Sequence, residues 1–311
     1  MDKMVLVLGA TGGVGGETAR ALIAHGWRVR GLVRGQRPGL DPAIDWREGD
    51  AGVGADVLAA ADGVDAIVHA VNPPGYRDWD RLVLPMIDNS IAAALANDAR
   101  LALPGTIYNF DPATTPVAAP DSPQNAGTRK GAIRRDLEAR IEESGIRALI
   151  LRAGDYYGPR PGNSWLSQGM ITPGKPVRRV LHPGARGVGH AWAYLPDVGE
   201  TFARLLDRGA ELPRFARFHF AGLWDADGMG LIDTIGAAVR RPVKRRGFPW
   251  ALLPLIAPFN PTMRELIEMR PFWTHPVRLD NRTLVAFLGE EPRTDPVESL
   301  RTTLKALGSL E

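Results

Sequence analysis

Leu6-Val7-Leu8-Gly9-Ala10-Thr11-Gly12-Gly13-Val14-Gly15-Gly16 runs a short apolar segment straight into a glycine-rich turn, and its reading decides the fold. The apolar run predicts a buried strand, and the residues from about Gly13 predict a helix. Gly9, Gly12 and Gly15 permit a tight turn, a close approach of backbone to a pyrophosphate, and close packing of helix on strand. The new helix turns unpaired N–H groups and the positive end of its dipole toward that phosphate. Thr11 lies in the same turn, where its hydroxyl caps the helix or hydrogen-bonds a phosphate. Gly9, Thr11, Gly12, Gly13, Val14 and Gly15 are therefore the expected dinucleotide-binding residues. The competing reading is a strand-to-helix turn without a ligand.

The helix continues through Glu17 to His25 and stops at Gly26, a residue suited to a left-handed C-cap. A second strand is expected from Arg28 to Arg34. Where NAD is preferred, an Asp or Glu near this strand end usually accepts from the ribose 2′-hydroxyl. Here the position holds Arg34, with Arg37 close behind, and a guanidinium can clamp a 2′-phosphate bidentately. NADP is accordingly expected over NAD, unless both arginines are solvated loop charges.

Composition narrows the classes. With 311 residues the chain holds one large α/β domain or two lobes, and 44% hydrophobic against 23% charged residues is ordinary for a globular protein. Thirty-eight basic against 35 acidic residues leaves a net charge of only +3, too little to argue for nucleic acid. The densest positive run, Arg240-Arg241-Pro242-Val243-Lys244-Arg245-Arg246, reads as a solvated loop or a rim that attracts an anionic substrate. The absence of cysteine excludes disulfides, thiolate catalysis and cysteine-ligated metals, and no metal site is expected. No run has the length of a transmembrane span and no signal peptide precedes the first strand, so a cytoplasmic protein without a membrane partner is expected. Trp250 to Phe259 is apolar, but Pro254 and Pro258 break it; it reads as a packed helix or a lid.

The first half alternates strands and helices at the spacing of a parallel sheet covered on both faces. Further strands are expected at Ile44 to Asp50, Ala66 to Val71 (ending in Asn72-Pro73-Pro74-Gly75), Arg100 to Tyr108, and Ala148 to Arg152. Helices are expected at Ala55 to Ala60, Trp79 to Asp98, and Thr128 to Ser144. Beyond residue 153 prolines break the alternation, and from about Phe215 one more strand and several helices follow. The expectation is an α/β protein: a Rossmann-type doubly wound parallel sheet over 1–152, with 190–210 packing back onto it. A smaller, discontinuous C-terminal substrate lobe takes up most of 153–311.

Several segments now line up: the glycine turn, Gly49-Asp50, Asp65-Ala66-Ile67-Val68-His69-Ala70, Leu151-Arg152-Ala153-Gly154-Asp155-Tyr156-Tyr157-Gly158-Pro159, and Tyr194-Leu195-Pro196-Asp197-Val198. Together they resemble the extended or atypical short-chain dehydrogenase/reductases grouped as NAD-dependent epimerase/dehydratase proteins, over nearly the whole chain. The resemblance implies that Asp50 contacts the adenine, and that Ala70, Val71 and Asn72 line the cofactor. It also sets the Gly154–Pro159 loop beside the nicotinamide and substrate. Asp50 reads equally as a cap of the following helix, His69 as a core histidine, and Asp197 as an N-cap.

Conventional members of that family carry a Tyr-x-x-x-Lys pair on the helix after the fifth strand, and a Ser or Thr at the strand's end. The resemblance makes the tyrosine the general acid/base, while the lysine lowers its pKa and holds the nicotinamide ribose. Registered on Glu138, this chain has Lys130 and Arg134 at those positions; registered on Lys130, it has Ala126 at the tyrosine position. Neither register yields the pair. The candidate catalytic substitutes are Thr106; Tyr108, on the same face if the strand continues; Tyr156 and Tyr157; and Lys130, as a polarising group or as an acid if burial lowers its pKa. Aromatic packing explains Tyr108 and Tyr157 as well, and an exposed helical charge explains Lys130.

Two functions fit these residues. One is an NADP(H)-dependent oxidoreductase or epimerase-like enzyme acting on a small carbonyl or sugar-like substrate. The other is a non-catalytic NADP(H)-binding protein that reports cofactor status to a partner. A second lobe with Trp165, Trp192, Trp224, Trp250 and Trp273 favours the enzyme, whereas the missing pair favours the sensor and disfavours a strict nucleotide-sugar epimerase. Arg178, Arg179 and Arg186 meet an anionic group or are surface charges. The helix carrying Arg129, Lys130, Arg134, Arg135, Asp136 and Glu138 is too charged for a hydrophobic interface, so a monomer is expected rather than a homodimer.

Overall fold

The computed structural model describes residues 3–35, 38–73 and 78–310. Arg37, Pro74 and Gly75, singled out above, lie outside them. The chain begins β1 (Met4–Leu8), α1 (Gly13–Ala24), β2 (Arg28–Val33), β3 (Ile44–Glu48), α2 (Gly54–Ala60), β4 (Ala66–His69), α3 (Trp79–Ala96) and β5 (Arg100–Thr106). After β6 (Val117–Ala118) come α4 (Arg129–Glu143), β7 (Ala148–Ala153), β8 (Asp155–Tyr157), β9 (Arg179–His182), β10 (His190–Tyr194) and α5 (Leu195–Asp207). The rest holds β11 (Phe215–His219), β12 (Leu223–Asp225), α6 (Gly230–Ala238), β13 (Lys244–Gly247), α7 (Leu253–Ile256), α8 (Pro261–Glu268), α9 (Pro271–Thr274), β14 (Arg278–Leu279), α10 (Arg282–Leu288) and α11 (Pro296–Ala306).

Seven strands form one parallel sheet in the order β11-β7-β5-β4-β1-β2-β3. The strand from Phe215 is therefore an edge of this sheet. Burial on both faces explains the near-continuous apolar strands. Val5 and Val7 face a core shared with α1 and α5, while Leu6 and Leu8 face one shared with α2, α3 and α4. Each such fully buried side chain contributes about 1.5–3 kcal/mol. This is the Rossmann-type doubly wound sheet that the alternation predicts. The order reverses between β1 and β4, where the crossovers leave in opposite directions and open a crevice beyond the strand ends.

Strands β6 and β14 pair over a separate cluster that includes Phe110, Ala118, Phe272 and Leu279, while β8, β9, β10, β12 and β13 build around a third core. β10 lies between β8, parallel, and β12, antiparallel, and β9 pairs with β13. Trp192, Trp273, Leu231, Ile235 and Leu300 fill this core, so Trp192 and Trp273 are packing residues. Trp250 runs through a short 3-10 turn into α7, not through one continuous helix, because Pro254 and Pro258 leave no room for one.

Candidate active site

The crevice at the reversal contains a cavity of about 510 Å³ lined by Gly9, Thr11, Gly12, Arg34, Asp50, Ala70, Val71 and Asn72. A second cavity of about 650 Å³ shares Thr11 and Gly12 and continues along Gly13, Arg20, Arg160 and Gly162. Gly9 has φ +88°, and a Cβ there would lie 2.4 Å from the Ala70 carbonyl oxygen. A Cβ on Gly15 would lie 2.3 Å from the Gly9 carbonyl oxygen. Only glycine lets α1 begin this close to β1 and β4. Helix α1 starts after Gly12 with no side-chain cap, so Thr11, which is exposed, does not cap it. Thr11 instead lines both cavities at the end of the dipole, where a phosphate would sit.

Arg34 and Asp50 sit at the lip formed by the ends of β2 and β3. Their side chains are exposed, and Nη1 of Arg34 lies 3.9 Å from Oδ2 of Asp50. Asp50 does not cap α2, whose N-cap is Val53. Instead its Oδ1 accepts from the Gly52 amide at 2.8 Å, and Asp56 accepts from the Asp50 amide. A phosphate on Arg34 would compete with a long, solvent-screened contact, which opposes it little. At the other lip Glu17 is buried between Arg20 and Arg160, at 3.0 and 2.9 Å. Arg160 stands 143 residues from Glu17, and no local pattern in the sequence marks the pair.

Helix α4 brings the other polar groups. Thr128 caps it by accepting from the Gly131 amide at 3.0 Å. Arg134 is buried, donates to Oδ1 of Asn72 at 2.7 Å and stacks over Trp79. The residue at the lysine position of the resemblance thus reaches the residue expected to line the cofactor. One turn earlier Lys130 is completely buried, which corrects its reading as an exposed charge. Its Nζ binds Glu268 at 2.7 Å and also Glu265, both from α8.

The other candidates are scattered. β5 ends at Thr106, and Ile107–Asn109 turns into a 3-10 helix, so Tyr108 does not share a strand face with Thr106. The Thr106 hydroxyl caps that turn, accepting from the Tyr108 amide at 3.2 Å. The Tyr108 ring packs on Phe272, with centroids 5.2 Å apart. Tyr157 is buried in the third core against Tyr194. Its hydroxyl bonds Ser299 at 2.8 Å, and burial pushes its pKa up to about 12. Tyr156 differs: its hydroxyl is buried without a hydrogen-bond partner, and burial, only partly offset by the charge of Arg134, holds its pKa well above 10. His69 is a core histidine, bonded to Ser90 at 2.8 Å and held neutral by burial, with its pKa lowered to about 3. Asp197 is not an N-cap. It lies in the first turn of α5 and accepts from the amide and hydroxyl of Thr294 at 2.8 and 2.6 Å.

A reversal crevice floored by a glycine turn, on a doubly wound sheet, defines a Rossmann-type protein. Residues 5–216 match the NAD dependent epimerase/dehydratase family, and the chain belongs to that family. No curated protein matches it. Among solved structures it is similar to the UDP-glucose-4-epimerase of Stenotrophomonas maltophila with bound NAD and formylated UDP-arabinopyranose, at TM-score 0.73 and 14% identity over 99% of this chain and 98% of that one. It is also similar to DesIV, the dTDP-glucose 4,6-dehydratase of Streptomyces venezuelae with NAD and TYD, at 0.70 and 17% over 97% and 96%. The Bordetella bronchiseptica enzyme WbmH in complex with NAD+ matches at 0.67 and 19% over 98% of both chains. At these identities the likeness is one of fold. Among the described residues no helix is long and apolar enough to cross a membrane.

Proposed function

We propose that the protein is an NADP(H)-dependent oxidoreductase or epimerase-like enzyme acting on a small carbonyl or sugar-like substrate. The observation that carries this reading is the glycine cradle opening onto Arg34 at the end of β2. The uncapped start of α1, with Gly9, Gly12, Gly13, Val14 and Gly15, holds the pyrophosphate, and Thr11 bonds it. Asp50 meets the adenine, while Ala70, Val71 and Asn72 line the far side. Structural relatives carry NAD, so the preference for NADP rests on Arg34. The bound nicotinamide supplies the hydride chemistry.

The chain's own part is to orient and to move protons. Arg134, fixed by Asn72, holds the nicotinamide ribose, and Thr106 bonds a substrate oxygen. Lys130, flanked by two carboxylates, and the unpartnered Tyr156 hydroxyl are the groups that polarise it. Tyr108 and Tyr157 are left to packing. The sensor reading draws on the same geometry, since Lys130 is already held by Glu265 and Glu268.

Titration with NADPH and NADH, followed by cofactor fluorescence, tests the proposal. Arg34→Ala is expected to weaken NADPH about tenfold, the worth of one charge-assisted contact, and to leave weak NADH binding unchanged. NADH binding as tight as NADPH would remove the NADP preference, and binding of neither would reduce the cradle to a structural turn. NADPH that binds but is never consumed across carbonyl and nucleotide-sugar substrates would favour the sensor.

A further inference from the structure

Away from the cavity, the β9–β13 ribbon presents an outer face of one charge. The parallel register sets Arg179 opposite Lys244 and Leu181 opposite Arg246. Side chains alternate along each strand. Val180 and His182 turn into the third core, which leaves Arg179, Leu181, Lys244 and Arg246 outward, all exposed. Arg178 and Arg241 extend the patch. Among the described residues, Arg178, Arg179, Lys244 and Arg246 have no ion-pair partner.

From the end of this ribbon the chain is pinned and then turned outward. Phe248 and Trp250 pack on Trp165, and Nε1 of Trp250 donates to the Pro183 carbonyl at 2.7 Å. In the following turn Leu253 is buried, yet Leu252, Leu255, Ile256 and Phe259 are exposed. Phe259 is 89% and Leu255 72% exposed, the largest values among the exposed large apolar side chains of the described residues. The apolar turn follows the β13 cations directly along the chain, and the two together are the combination that peripheral membrane proteins use: aliphatic and aromatic side chains enter the headgroup boundary, and basic residues meet anionic lipids.

We infer that the β9–β13 ribbon and the Leu252–Phe259 turn form a docking surface for an anionic lipid bilayer. A peripheral contact needs no spanning helix, so it is compatible with the absence of one among the described residues. The charge pattern decides between occupants. In a twofold contact with a second copy, the four unpaired cations would face their own kind, and that repulsion opposes association. A nucleic acid would use the cations but gain little from exposed leucine and isoleucine, since its bases stack on aromatic rings.

Flotation with vesicles tests the inference, using phosphatidylcholine alone or mixed in equal parts with phosphatidylserine. The full chain is expected to float with the mixed vesicles only, and to release as salt screens the charges. Combining Arg179→Ala, Lys244→Ala and Arg246→Ala is expected to weaken partitioning on the order of a hundredfold. Leu255→Ser with Phe259→Ser is expected to abolish it. All of these side chains are exposed, so unchanged thermal melting should accompany both losses. The inference is overturned if the protein floats with neither vesicle, or if both variant sets float like wild type. It is equally overturned if light scattering shows a dimer that Leu255→Ser and Phe259→Ser dissolve, or if the cations bind single-stranded DNA while vesicles are ignored.

Discussion

At the scale of single residues, the cradle depends on what is absent from Gly15. A methyl group there would press on the Gly9 carbonyl at 2.3 Å and on the Ala70 Cβ at 3.1 Å. Neither neighbour is the end of a flexible side chain, so α1 must move away from β1. Gly15→Ala is expected to cost about 1–3 kcal/mol and to lose NADPH binding. Melting and cofactor titration of the variant check both effects, and a variant matching wild type in each would show that the helix has room to give. Glycine spacing is legible in sequence because the geometry it encodes is local. Arg134 is not legible in the same way, since its partner Asn72 lies 62 residues away on another element. Lys130 reads as a surface charge because the two glutamates that bury it come from α8, more than a hundred residues on. The condition on Tyr108, that the strand continue past Thr106, fails for a different reason: the Thr106 hydroxyl ends the strand by capping a turn, a side-chain event that strand periodicity does not record.

At the scale of elements, α1 and α5 are clamped on one face of the sheet by a histidine at the end of α1. Nδ1 of His25 lies 2.5 Å from Asp207, Nε2 lies 3.1 Å from Glu200, and the Trp27 indole donates to the same Asp207 at 2.7 Å. Partial burial opposes the charge on His25, but the hydrogen bonds and charges of Asp207 and Glu200 outweigh it and raise the pKa above 6.5. A raised folded-state pKa stabilises the fold fully below the unfolded value, and the gain is lost as pH rises through the folded one. Glu200 works in the opposite sense. Burial would raise its pKa, yet Arg204 and His25 hold it below 4.5, so its share is lost only in acid. His25→Gln is therefore expected to lower stability by about 1 kcal/mol near pH 6, roughly 2 °C in Tm, and by less near pH 9. Thermal melts of both proteins across that range check the sign. A variant that loses more at the alkaline end would show that the clamp acts through the neutral ring.

At the scale of the whole molecule, the parallel sheet could be read from sequence because most of its strands are apolar runs followed by a turn and a helix. The exceptions are the edge strand β3, Ile44-Asp45-Trp46-Arg47-Glu48, and its helix-free link from β2. The lobe around Trp192 and Trp273 offers no such repeat. Its strands β8, β9, β12 and β13 have between three and four residues each, too short to show a period. Their pairing joins segments tens of residues apart. The surfaces of α3 and α4 bear on assembly in the same global way. The exposed positions of α4 are Arg129, Arg135, Arg140, Glu142 and Glu143, and Arg140 reaches across to Asp88 of α3. Outward apolar side chains on α3 are limited to Leu82, Pro85, Leu95 and small alanines. Burying this face in a dimer would strip water from a row of charges for little apolar area, the reverse of what an obligate interface core requires. The protein is therefore expected to elute as a monomer near 33.7 kDa by size exclusion with light scattering. Raising the salt would weaken any contact held by the charges. A stable dimer that survives high salt would mean that an apolar face holds the copies together. Alanine or serine substitutions at Leu82 and Leu95, set beside those at Leu255 and Phe259, would then tell which face it is.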